Sequence, residues 1–182
     1  MRVITGLARG SKLEAPKGMK TRPTADKVKE GIFSAIQFDI PHAAVLDLFA
    51  GSGQMGIECL SREARLAVFV DSDRACQEII KKNLNHVGLG LAKQARVVAM
   101  DALQYLYSAK DLFDIVFVDP PYEGGHYLKV LPLISPRMLP GGVVVCESAA
   151  TLEMPDRIEE LNRYREYRYG KTKVTIYHKG EI

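Results

Sequence analysis

Asp47-Leu48-Phe49-Ala50-Gly51-Ser52-Gly53-Gln54-Met55-Gly56 follows an apolar run at 45–49 and leads into a stretch carrying Met55, Ile57, Cys59 and Leu60. Glycines 51, 53 and 56 satisfy G-x-G-x-x-G, a spacing that permits a tight strand-to-helix turn with a ligand lying against backbone. That spacing alone is a weak signal. It gains weight from an acidic residue about 20 positions on, at the end of the next strand, where a carboxylate accepts from both hydroxyls of a ribose. Asp71 holds that place, after the apolar run 66–70 and beside Ser72. Together with Phe49, Ser52 and the glycines it points to an adenosine-containing ligand.

Outward from this turn, strand and helix patterns alternate. A helix is expected from 25 to about 38, capped by Thr24, with Val28, Ile32, Phe33, Ala35 and Ile36 as its apolar stripe. Strands are expected at 45–49, 66–70, 95–100, 115–118 and 143–146, with a helix opening at Asp73. A further helix from 127 to 139 would stop at Pro140-Gly141-Gly142. Residues 164–169 and 174–177, separated by Gly170, read as an antiparallel pair. The alternation implies an α/β fold whose mostly parallel sheet is covered on both faces, with an antiparallel C-terminal strand.

Three further acids refine the ligand. Asp47, four residues before Gly51, would favour an amino-acid ammonium and repel a diphosphate. Asp101, at the end of the third strand, would accept from an adenine amine with Ala102 supplying a backbone contact; a helix N-cap is the plainer role for Asp101. Asp119-Pro120-Pro121-Tyr122 ends the fourth strand, at the sheet edge where ligands of such folds sit. The prolines remove two amide donors and hold the Pro120 carbonyl as an acceptor beside Asp119. Two converging acceptors suit an exocyclic base amine and stabilise the charge that grows on its nitrogen as it attacks a sulfonium methyl. Tyr122 would stack on an unpaired or flipped base. The expected cofactor is therefore S-adenosylmethionine.

The 182 residues are 47% hydrophobic and 26% charged, ordinary for one globular unit. Without an apolar run of membrane length or a signal segment, a cytoplasmic protein is expected. Cys59, Cys76 and Cys146 and the four histidines lack ligand spacing, so no metal and no disulfide is expected. The net charge is +3, yet residues 1–30 carry eight basic and three acidic side chains, leaving −2 for the rest. That asymmetry places the positive field at the N-terminus and suggests RNA phosphate as its partner, through Arg2, Arg9, Lys12, Lys17 and Lys20.

Arg2-Val3-Ile4-Thr5-Gly6 with Arg9-Gly10, Arg22-Pro23-Thr24-Ala25-Asp26-Lys27-Val28-Lys29-Glu30, residues 47–56 with Leu60-Ser61-Arg62, residues 119–122 and Glu147 together resemble the RsmD family of bacterial 16S rRNA guanine-N2 methyltransferases. The resemblance spans nearly the whole chain, and its Arg-Pro-Thr-x-Asp segment is the specific part. It implies a Rossmann-like class I S-adenosylmethionine-dependent methyltransferase fold with seven strands in a single domain over 1–182, residues 1–22 forming a basic extension or hairpin that contacts RNA. It also implies Arg22 and Thr24 near the cofactor, and a guanine N2 in 16S rRNA or the small-subunit particle as target. Three departures stand out: Asp71 for glutamate, Tyr122 for phenylalanine, and lysines at 27 and 29 for arginines, which lack the bidentate fork. A monomer is the expected state. Methylation of DNA adenine N6 or protein glutamine N5 would suit the same acceptors, and a nicotinamide-dependent oxidoreductase would share only the glycine turn and Asp71.

Overall fold

A computed structural model describes residues 1–16, 26–89, 93–121 and 125–180. Thr24 and Ala25, where the sequence places a helix start, lie outside them. The elements run α1 (Asp26–Ala35), β1 (Ala44–Leu48), α2 (Gln54–Ser61), β2 (Leu66–Asp71), α3 (Arg74–His86), β3 (Ala95–Ala99), α4 (Ala102–Ser108), β4 (Phe113–Val118), α5 (His126–Ile134), a 3-10 turn (Ser135–Arg137), β5 (Met138–Ala149), β6 (Arg157–Ile158), β7 (Leu161–Tyr169) and β8 (Thr172–Lys179). They build one sheet in the order β3-β2-β1-β4-β5-β8-β7-β6. The first five positions pair in parallel and the last three antiparallel. The count is eight rather than the expected seven, because the two-residue β6 adds an edge to β7.

Alternation along the central strands divides the core in two. Val45, Ile115, Phe117, Val143 and Val145 face one layer with α1, α2 and α3, while Leu46, Leu48, Val116, Val118 and Val144 face the other with α4 and α5. All five residues of β1 are buried, as expected of a central parallel strand.

Helix α5 ends at Ile134, five residues before the expected stop, and β5 begins at Met138. Pro132 and Pro136 lack amide donors, which weakens the helical ladder there. Met138 pairs with Phe113, then the register shifts before Ile115 meets Val143. Pro140-Gly141-Gly142 lies in that irregularity, with Gly141 at φ 76°. It marks a bend inside a strand, not a helix stop.

The N-terminus folds back on itself. Arg2 bridges Lys12 antiparallel, with Val3 N to Ser11 O at 3.0 Å and Gly10 N to Val3 O at 2.9 Å. This hairpin docks on α2, where fully buried Glu58 accepts from the amides of Ile4 (2.8 Å) and Thr5 (3.0 Å). The same carboxylate meets Lys29 Nζ of α1 and Arg62 Nε, each at 2.9 Å. Burial pushes Glu58 up, but Lys29, the amides and Arg62 together hold it below the usual carboxylate range. Glu58→Gln would leave Lys29 charged and unmatched in the core. We expect a loss of roughly 3 kcal/mol in urea unfolding, with faster hydrogen exchange at Ile4 and Thr5.

Candidate active site

Positions 51–53 turn the chain from β1 into α2, with Gly51 at φ 55° and Gly53 at φ 75°. Gly51 N donates to Asp71 Oδ2 at 2.8 Å, and Asp71 Oδ1 accepts from Asp73 N at 2.9 Å. Asp71 therefore ties the glycine turn to the end of β2. At two of the glycines the fold itself leaves no room for a side chain. A Cβ on Gly56 would fall 2.4 Å from the Phe69 ring, and one on Gly53 would press on Ile80 and Phe69 at 3.2–3.3 Å.

Above this turn lies a cavity of about 370 Å³, within the usual range for small-molecule sites. Phe49, Gly51, Ser52, Asp71, Ser72, Asp101, Ala102, Asp119, Pro120 and Pro121 all line it, as do Met1, Gln54, Val70, Cys76 and Met100. Gly53 does not. Asp101 serves as the N-cap of α4, with Oδ1 accepting from Leu103 N at 2.8 Å and Gln104 N at 3.3 Å, while also sitting on the cavity wall. Phe49 holds a left-handed backbone at φ 83° and sets its ring edge-on to His126 at 5.9 Å. Non-glycine residues in that region mark sites whose surroundings fix them; here the Phe49 and Ala50 amides both bond Val70 O, at 3.1 and 3.0 Å.

A second cavity, about 40 Å³, adjoins it and is lined by Ile32, Asp47, Gln54, Phe117, Asp119 and Glu147 among others. Asp47 lines this smaller space rather than the larger one. Phe49, Ala50, Gln54 and Asp119 are common to both. The three acids meet for a simple reason. β1, β4 and β5 are neighbours, and Asp47, Asp119 and Glu147 follow Val45, Phe117 and Val145 by one two-residue step, on the face covered by α1. Val118 pairs with Cys146, so Asp119 and Glu147 come next at the same level.

Such crowding shows in the acid strengths. Asp47 is buried, and desolvation raises it to about 7 against the pull of the Gly56 amide, 3.0 Å from Oδ2. Asp119 keeps an exposed edge, yet its carboxyl is hemmed in; desolvation first, then the charges of Glu147 and Asp47, push it well above the carboxylate range. Tyr127 Oη donates to the Glu147 carbonyl and braces the end of β5. Sequence reasoning reached Glu147 only through a resemblance and gave it no role; strand order supplies one. Gln54, also not singled out, has a buried Oε1 with no donor among the described residues. Arg22, Thr24 and Tyr122, together with Lys17 and Lys20, lie outside those residues. Arg2, Arg9 and Lys12 are exposed on the N-terminal hairpin.

Because the native state holds the Asp47 proton to about pH 7 while the unfolded chain releases it near 4, stability falls as pH rises through that window and levels above it. Asp47→Asn keeps an acceptor for Gly56 without the ionisation. Relative to wild type, the variant should gain roughly 3 kcal/mol between pH 4 and pH 8, as measured by denaturant titration at both.

A family model described as "Conserved hypothetical protein 95" matches residues 1–178. YlbH of Bacillus subtilis is 40% identical over 98% of this chain and 99% of its own. The Escherichia coli protein named ribosomal RNA small subunit methyltransferase D is 34% identical over 97% of this chain and 89% of its own. Among solved structures, yhhF of Escherichia coli superposes with a TM-score of 0.88 at 34% identity, covering 99% of this chain and 98% of that one. An RNA methyltransferase from Salinibacter ruber, solved with S-adenosyl-L-homocysteine, shares the fold at a TM-score of 0.67 and 17% identity, over 88% of this chain and 95% of its own. The chain belongs to the family of the small-subunit methyltransferase D proteins, the RsmD family.

Proposed function

We propose that the protein transfers a methyl group from S-adenosylmethionine to the exocyclic N2 amine of a guanine in small-subunit rRNA, as one domain with its N-terminal hairpin against the RNA. The observation that carries this reading is the position of Asp119 on the shared wall of two cavities, one bounded by the glycine turn and one by carboxylates.

The residues of the larger cavity fit the cofactor by their chemistry. Asp71 offers acceptors to ribose hydroxyls beside the Gly51 backbone, Asp101 offers one to an adenine amine, and Ala102 offers apolar contact. The orphaned Gln54 Oε1 suits a ligand bearing N–H donors, such as the ammonium of the amino-acid end. Acids on the wall disfavour a pyrophosphate, which argues against a nicotinamide cofactor. When bound, S-adenosylmethionine supplies an electrophilic methyl on sulfur.

The protein's own part is positioning and proton handling. Asp119 and the Pro120 carbonyl hold the amine by its two N–H donors, and the carboxylate stabilises charge growing on nitrogen. The proton released afterwards has an acceptor, because burial, joined at Asp119 by the charges of Glu147 and Asp47, makes these carboxylates more basic than ordinary ones. On the hairpin, exposed Arg2, Arg9 and Lys12 are set to meet RNA phosphates.

Wild-type protein with methyl-labelled cofactor should label small-subunit rRNA or its assembled particle, and leave genomic DNA and total protein unlabelled; label in either of the latter instead would refute the substrate assignment. Asp119→Ala should lower transfer by about a hundredfold or more, while S-adenosylhomocysteine affinity by calorimetry stays within about threefold. Glu147→Gln tests the charge coupling. Removing the like charge lowers the Asp119 pKa, so the acidic limb of kcat/KM against pH should move to lower pH.

A further inference from the structure

The positive field does not belong to the N-terminus alone. Residues 161–179, the β7–β8 hairpin, carry six basic side chains against the single acid Glu166, a net +5 equal to that of residues 1–30. Residues 31–160 between them are −6. Part of the hairpin's charge is committed internally. Lys173 is buried on Glu166 (2.9 Å) and the Leu152 carbonyl, Lys179 bonds the Met138 carbonyl at 3.0 Å and sits 3.3 Å from Glu160, and Arg163 pairs with Asp156. Arg165, Arg168 and Lys171 are exposed, Arg168 with one guanidinium nitrogen 3.4 Å from Glu166.

Arg165 stands among aromatic rings. Tyr164 is 43% exposed, with the Arg165 guanidinium 5.0 Å from its centroid on the one hand and the His178 ring at 4.6 Å on the other. Arg165 Nη1 also lies 3.5 Å from Tyr167 Oη. An arginine held over a tyrosine presents a flat, cationic platform, a surface suited to unpaired bases and their phosphates rather than to a protein's apolar patch.

Placement ties the platform to the active site. Glu147 pairs with Val174, which pairs with Tyr167, so β7 runs in the same row as the acceptor cavity. At about 4.8 Å per strand, Tyr167 lies roughly 14 Å from Asp119. On the near side, the Tyr169 hydroxyl seats against α1 so closely that a Cβ on Gly31 would fall 2.0 Å from it. On the far side of α1, Lys29 Nζ donates to Arg2 O at 3.0 Å, and Arg2 meets Asp26 at 3.8 Å. The two basic hairpins thus flank one helix, and Ile32 of that helix lines the cavity holding Asp47, Asp119 and Glu147.

We infer that the exposed patch of β7 made by Tyr164 and Arg165, on the face turned toward α1, is a second RNA contact, which grips the single-stranded nucleotides beside the target base while the N-terminal hairpin holds the other flank. The inference rests on the RNA methyltransferase reading above and deepens it. It is tested by fluorescence anisotropy with a labelled transcript of small-subunit rRNA and with a single-stranded oligouridine, over a series of salt concentrations. Arg165→Glu should weaken binding at least fivefold and flatten the salt slope by about 0.7, the contribution of one single-strand phosphate contact. Tyr164→Ala should weaken oligouridine binding at least fivefold with the slope unchanged. S-adenosylhomocysteine affinity, by calorimetry, should stay that of wild type in all variants, which reports an intact fold. Variants that bind both RNAs with wild-type affinity and slope overturn the inference, even where wild type methylates the rRNA. A wild type that binds RNA yet transfers no methyl to rRNA overturns the proposed function and leaves the hairpin result to be read on its own slope; a wild type that holds no RNA overturns both.

Discussion

The Glu58 carboxylate joins three parts of the chain that sequence keeps far apart. It takes two amides from the N-terminal hairpin, the ammonium of Lys29 from α1 and the guanidinium of Arg62 from its own helix. A buried acid costs several kcal/mol to desolvate, so its position is tolerable only with all its partners in place. That requirement makes it a registration device. With Lys29 fixed, α1 must lie across the sheet with Phe33 against Phe117 at 5.9 Å and the Arg62 guanidinium over Phe33 at 4.7 Å. Only then does Ile32 close the small cavity over the three acids.

Those acids illustrate how a parallel sheet builds chemistry from distant segments. Positions 47, 119 and 147 share no local motif. Strand order sets β1, β4 and β5 side by side, and the two-residue period turns one side chain from each toward α1 at the carboxyl edge. Burial raises the proton affinity of Asp47, and burial with the neighbouring charges of Glu147 and Asp47 raises that of Asp119. A site that must first orient an amine and then remove its proton gains from this, since the same oxygens accept hydrogen bonds and take up a proton more readily than an ordinary carboxylate.

Much of this was legible in the sequence. The alternation of strands and helices, the glycine turn with Asp71, the cap at Asp101 and the strand-ending Asp119 are local features, readable from spacing and residue type. What escaped was set by tertiary arrangement. Glu147 gains its meaning from a neighbour in the sheet. Gly53 and Gly56 follow a ligand-turn spacing, and only the fold shows that Phe69, with Ile80 at Gly53, also leaves no room for a side chain there. Pro140-Gly141-Gly142 resembles a helix stop, and only pairing with β4 reveals a bend in β5. The basic β7–β8 hairpin was masked by arithmetic, because its +5 was averaged with an acidic middle of the chain.

That charge segregation resolves a difficulty that the active site would otherwise pose. Three carboxylates at the mouth of a cavity repel a polyanion, and a base cannot enter without bringing its phosphates near. Two features of the molecule reduce the conflict. Asp47, raised to about 7, is partly neutral at neutral pH, which lowers the charge beside the Asp119 carboxylate. Positive segments on both sides of α1 favour a backbone path that passes the cluster without crossing it, since attraction at the flanks and repulsion at the centre act together on the same strand. Only the neutral base, swung away from its phosphates, then has reason to turn inward toward the acids, and an amine with two donors is the group they are arranged to receive.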